Sequence, residues 1–246
     1  MGVRITAKDV DAEAYATEYS APIRRALEAV HFLNGTAEKS AHNYAPGKLS
    51  GSVAGAPVAT ANSLGVKSLA NYIQSAAGEA AEMTIFIIAR SSDTFVSDAN
   101  RPMIIGTYNG FTAAGGGTPG LSMFVTDTSV RCAVGLSDTG GSAITHNTSI
   151  INTYASVWAL YVLRVTSSGV SLRDVTHALT TNTTYPVGSS RRPSTNRLRI
   201  GSAFTGFQGI ADIAVTQIHS AALTEDEIQR TVTDLRAYAA RRGITV

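Results

Sequence analysis

Three groups of residues in this chain have types and spacings that could do chemistry. The first is Tyr108, Asn109 and Phe111, where the chain enters the Gly-rich stretch NGFTAAGGGTPG. Sugars are held by such sets: an aromatic ring stacks on the apolar face of the pyranose, and an amide bonds its hydroxyls. The same rings could equally serve as anchors that pin a flexible loop. The second group is Asp127 and Asp138, at the two ends of an expected hairpin. A carboxylate pair of this kind could help hold an oxygen-ligated cation, although Asp is also a common turn former at hairpin ends. The third is the basic group Arg191, Arg192, Arg197 and Arg199. It reads as a solvated turn and strand face, with a phosphate site as the alternative.

Other chemistries lack their residues. The five histidines, His31, His42, His146, His177 and His219, are dispersed and fall in no metal-ligand spacing. G-x-S-x-G does not occur. Glu225, Asp226 and Glu227 form the one dense acidic cluster, and helix capping accounts for it. Cys132 is the only cysteine, so neither an internal disulfide nor a thiolate zinc site is available. It alternates with Val130, Val134 and Leu136, as a small buried hydrophobe would. Trp158 lies inside a β-branched run, which favours core packing over ligand stacking.

The composition narrows the function classes. A net charge of +2 with 15% charged residues is too neutral for a dedicated nucleic-acid binder. No run of eighteen apolar residues is present, so no membrane span is expected. The first residues, MGVRITAKDVDAEAY, have no apolar core and do not read as a signal peptide. A soluble chain made in a reducing cytoplasm is the expectation. The sequons at Asn34, Asn147 and Asn182 then read as chance matches in a Thr- and Asn-rich sequence.

The elements that must position these residues are mostly strands. Met83 to Arg90 (MTIFIIAR) and Val157 to Val165 (VWALYVLRV) are continuous apolar runs, as expected of inner strands covered on both faces. SLANYIQS, RPMIIGTY, LSMFVTD, VRCAVGL, SLRDV, RLRIG and IADIAVTQIH add further strands, with a hairpin turn at Thr128-Ser129. Such short spacing argues for a sandwich rather than βαβ units. Thr224 with Glu227 is a capping box, which starts a helix over 224–242 that carries Ile228, Val232 and Leu235 on one face and stops at Gly243. At the other end, Ser20, Pro22 and the spacing of Ile23, Leu27 and Val30 predict a short helix ending at Asn34-Gly35. So short a helix needs a partner. The expectation is therefore an attachment or oligomerisation arm over 1–35, with Ile23, Leu27 and Val30 as its partner surface, and a sandwich over 36–246.

Three segments in order, NYIQSAAGEAAEMTIFIIAR, VWALYVLRVTSSGVSL and GFQGIADIAVTQIHSAALTEDEI, resemble the laminin-G-like (concanavalin A-like) jelly-roll superfamily over about 43–243. The resemblance implies an all-β, two-sheet antiparallel jelly roll with a closing helix. It implies calcium as the metal, if any is held, at Asp127 and Asp138. Glucanases on this fold carry an E-x-D-x-x-E strand, which this chain lacks. Within the superfamily the chain looks most like modules of bacteriophage tail and other virion proteins. That likeness implies a non-enzymatic structural or adhesion component of a virion, made in the host cytoplasm, whose partners are other virion proteins, copies of itself or a host-surface glycan. A carbohydrate-binding module is the alternative reading, and a polysaccharide hydrolase or lyase the last. No nucleic acid is expected as a partner.

Overall fold

The structure, a computed structural model, describes residues 16–151 and 154–246. Its first element is strand β1 (Leu27–Phe32), followed by the short helix α1 (Ala37–Ala41). Next come β2 (Ser52–Ala54), β3 (Val58–Ala59), β4 (Leu64–Lys67), β5 (Tyr72–Gly78), β6 (Met83–Arg90) and β7 (Met103–Gly106). A small hairpin, β8 (Gly110–Phe111) and β9 (Gly117–Thr118), precedes β10 (Ser122–Val125), β11 (Ser129–Ser137) and β12 (Ala143–Ile151). The chain closes with β13 (Ala159–Val165), β14 (Gly169–Asp174), β15 (Leu179–Thr184), β16 (Ser190–Arg191), β17 (Arg197–Ile200), β18 (Ile210–His219) and helix α2 (Glu225–Arg241).

These strands form two antiparallel sheets. One runs β15-β14-β13-β6-β18-β4-β3, with β1 paired to the far half of β18; the other runs β12-β11-β10-β7-β17-β5-β2, with β16 beside β11. The all-β, two-sheet sandwich is thus as expected. The apolar run of β6 has no polar face, and the fold buries both. Met83, Ile85 and Ile87 join Ile105, Met123, Val134 and Leu163 in the core between the sheets. Phe86 and Ile88 join Leu160, Val162, Ile228, Val232 and Leu235 in a second core, under α2. β13 behaves alike, because it pairs residue by residue with β6. Trp158 packs at the edge of the second core, with the Arg90 guanidinium 4.7 Å over its ring. Cys132 is buried between the sheets.

The closing helix starts where its capping box lies. Thr224 Oγ1 accepts from Glu227 N at 3.3 Å, and Glu227 Oε2 accepts from Thr224 N at 2.7 Å. The adjacent Arg25 guanidinium and this backbone donor hold the Glu227 carboxyl down to about 2.

The N-terminal segment differs from the expected helix. Leu27–Phe32 is a strand, and Ile23, Leu27 and Val30 are 6%, 6% and 0% exposed. β4 covers β18 only as far as Ile213, so the backbone from Val215 to His219 needs a second partner, and β1 supplies it. The i, i+4, i+7 spacing fits a helix, but β-branched and aromatic residues beside an open strand edge fit a strand better. Ile23, Leu27 and Val30 are therefore interior residues of the second core, not a partner surface. The boundary at residue 35 moves accordingly: Tyr19 already donates to Asp234 on α2 at 2.5 Å. Residues 1–15 of the expected arm lie outside the described residues.

Candidate functional site

The β8–β9 hairpin stands over one end of the second sheet. Its approach to the segment 190–196 demands glycine at 110, where a Cβ would sit 1.9 Å from Ser194 Oγ. Asn109 turns the chain into the hairpin at φ +57°. Phe111 O accepts from Thr195 N at 2.7 Å and from Thr195 Oγ1 at 2.9 Å, which ties the two segments together. Between them lies an open groove of about 690 Å³, lined by Thr112, Ala113, Ala114, Ser137, Arg192, Ser194, Thr195 and Arg197, with Glu79 and Arg191 also in its wall. Its volume lies within the range of small-ligand clefts.

The groove rests on a buried ion pair. The Glu79 and Arg191 side chains are 0% and 3% exposed, and Arg191 Nη2 donates to Glu79 Oε1. Glu79 Oε2 accepts from Thr107 Oγ1 at 2.6 Å, Leu121 N at 3.1 Å and Ser194 N at 3.0 Å. Arg191 also donates to Gly135 O at 2.6 Å and Ala81 O at 3.3 Å. Desolvating two charges is costly, and this many charge-assisted bonds are what makes such burial tolerable. The pair is electrically neutral and ties the 190–196 segment to β11 and to the residues that follow β5 and β7.

The exposed charge of the groove is positive. Arg192 donates from Nε to Gly117 O at 2.9 Å and from Nη1 to Ser137 Oγ and Gly141 O at 3.1 and 3.0 Å. Arg197 donates from Nη1 to Ala76 O at 2.6 Å. Neither guanidinium has a carboxylate within ion-pair distance among the described residues. The four arginines of the basic group thus part company. Arg191 is buried, Arg192 and Arg197 face the groove, and Arg199 lies 3.6 Å over the Phe204 ring and 4.7 Å over the Tyr72 ring, its pKa lowered by burial.

The aromatic group divides as well. Tyr108 packs edge-on to Phe207 at 5.5 Å, in a small cluster with Met103 and Phe124. It does the anchoring. Asn109 is exposed, and its backbone N–H donates to Pro119 O at 3.3 Å. Phe111 is 61% exposed and adjoins the groove through Thr112.

Asp127 and Asp138 do not meet. They flank opposite ends of nine-residue β11, roughly 30 Å apart at a strand's rise per residue. Asp138 Oδ1 accepts from Gly140 N at 2.9 Å and Ser142 N at 2.8 Å, as a turn former does. Asp127 lies 4.0 Å from Arg101. The residues present therefore do not fit a shared calcium ion, and no cluster of three or more His, Cys, Asp or Glu side chains suited to a metal occurs among the described residues. Glu79 carried no sequence signal, because it sits in a small-residue link, AAGEAAE, that reads as surface.

No protein-family model and no curated protein matches the chain in sequence. Solved structures do match in shape. The receptor-binding domain of botulinum neurotoxin D superposes with a TM-score of 0.59 at 10% identity, over 87% of this chain and 54% of that one. The binding domain of botulinum neurotoxin DC in complex with SialylT gives 0.60 at 10% identity, over 87% and 52%. A botulinum neurotoxin type C structure, described by cell entry dependent upon two ganglioside molecules, gives 0.59 at 10% identity, over 85% and 51%. The chain spans about half the length of these proteins. At such identity the likeness establishes the β-sandwich fold and nothing of the site.

Proposed function

We propose that the chain is a non-enzymatic recognition module that holds a glycan in the groove between the β8–β9 hairpin and the segment 190–196. The carrying observation is the lining itself. Two guanidinium groups, Arg192 and Arg197, have no carboxylate partner among the described residues, and they stand beside the hydroxyls of Thr112, Ser194 and Thr195. Guanidinium groups favour bidentate bonds to planar anions, so a sugar bearing a carboxylate or sulfate is the preferred occupant. Phe111 beside the groove offers a ring to a pyranose face. The fold neighbours described with SialylT and with gangliosides support a glycan as the ligand class.

The non-enzymatic part of the reading rests on Glu79. Glycoside hydrolysis uses two carboxyl groups on either side of the scissile bond. Glu79 is the carboxylate in the groove wall, its side chain is wholly buried, and four donors occupy it. Placement on a virion, as a phage tail or capsid-surface adhesion component, is a further part of the proposal and rests on the sequence resemblance alone. Immunogold labelling of native particles with an antibody to this chain tests it.

A glycan array probed with and without calcium tests the reading, together with an assay for new reducing ends. Binding of sialylated or sulfated glycans that is insensitive to chelation, without turnover, is expected. Release of reducing sugar would overturn the non-enzymatic reading, and an empty array the glycan reading.

A further inference from the structure

Among the described residues, both sheets end on the same side of the sandwich in strands with no further strand beyond them, β12 in one sheet and β15 in the other. The opposite side ends in β3 and β2, only two and three residues long. Short edges are one of the ways proteins avoid unwanted strand pairing, and charges, prolines and bulges are others. β12 uses none of these. It has nine residues, AITHNTSII, with no Lys, Arg, Asp, Glu, Pro or Gly, and it pairs with β11 in unbroken register. β15, LTTNTT, is equally uncharged, and the two edges are held level by His146 to Thr183 at 2.9 Å and Thr148 to Thr181 at 3.4 Å.

The order of residues in β12 says what fits that edge. About Asn147 the strand is close to a palindrome in residue type. An antiparallel copy of itself, with a two-fold axis through Asn147, sets Thr145 opposite Ser149, Ile144 opposite Ile150, and Ala143 opposite Ile151. Thr145 and Ser149 bring hydroxyls together, apolar residues meet apolar ones, the His146 imidazole stands opposite the Thr148 hydroxyl, and no like charges face each other. The outer row, Ala143, Thr145, Asn147, Ser149 and Ile151, is exposed, with Ile151 at 62%. We propose that β12 is a homodimer interface, through which two copies of this chain join their eight-stranded sheets edge to edge about a two-fold axis at Asn147. Isologous pairing of this kind closes the assembly at two and covers the open edge.

The full chain should sediment as a dimer at about 100 μM. Asn147→Lys, which sets two ammonium groups against each other at the axis, should give a monomer with unchanged circular dichroism and melting temperature, since Asn147 is exposed and off the core. A second variant reads the geometry directly. Asn147→Cys should be captured as a covalent dimer by a short bis-maleimide, whereas Leu49→Cys, 80% exposed at another place on the surface, should not. The natural Cys132 is buried and does not compete. A wild-type monomer at that concentration, or a dimer that persists in Asn147→Lys, overturns the proposal. So does equal cross-linking of the two cysteine variants.

Discussion

Glu79 is the residue on which the geometry of the groove depends most. Removing it as Glu79→Ala leaves the Arg191 charge buried without its partner, and breaking such a pair costs about 3–5 kcal/mol. Urea unfolding should show that loss, while Arg197→Ala, whose side chain lies at the surface, should unfold within about 0.5 kcal/mol of wild type. Equal stabilities for Glu79→Ala and wild type would remove the pair from the account. His31 sets a second, pH-dependent quantity. It is fully buried, with Nδ1 against His42 O at 3.0 Å and Nε2 against Ser75 Oγ at 3.3 Å, and burial pushes its pKa down to about 4. The folded state therefore favours the neutral ring, and the unfolded chain takes up the proton first. Stability from this group is complete above about pH 6.5 and falls as pH drops to about 4, by roughly 3 kcal/mol in all. The burial of His219 acts in the same direction. A denaturation midpoint that is flat from pH 7 to 4 would contradict this. None of these roles was legible in the sequence. Glu79 and His31 become chemically distinctive only through partners far away in the chain, Arg191 and Ser75, and no local pattern encodes such contacts.

At the scale of elements, legibility followed burial. β6 and β13 are buried on both faces and announce themselves as continuous, mostly apolar runs. The capping box announces α2. β12 and β15 left no expectation behind, because an edge strand of Thr, Asn and Ser has no apolar face to repeat. β1 was misread because six residues are too few to separate a period of two from one of 3.6, and the vacancy beside β18 that decides the matter is tertiary. Two outcomes follow. Thr224→Ala removes an N-cap and should lower stability by about 1 kcal/mol, and an unchanged melting temperature would count against the cap. Deleting residues 1–35 removes a strand and its share of the second core, so circular dichroism should show an unfolded or aggregated product. A folded, soluble truncation would mean that β1 is dispensable.

For the whole molecule, the order of strand, turn and closing helix was enough to expect a sandwich, and the superposition on botulinum neurotoxin receptor-binding domains agrees at that level. The groove was only half visible. The Gly-rich aromatic loop forms one wall of the groove, but Phe111 rather than Tyr108 stays at the surface there, and the arginines that give the groove its charge lie about 80 residues further along the chain. Asp127 and Asp138 lie at opposite ends of one strand in space, and Asp138 takes the turn-forming role that was the other reading of the pair. Whether the groove binds an acidic glycan is decided by a titration of the ¹⁵N-labelled chain with sialyllactose in the presence of a chelator. Saturable shifts confined to the amides of Thr112, Ser194, Thr195 and their neighbours are expected, weaker by about tenfold or more in Arg197→Ala and absent with neutral lactose. Shifts that cluster elsewhere, or none at all, would contradict binding in the groove.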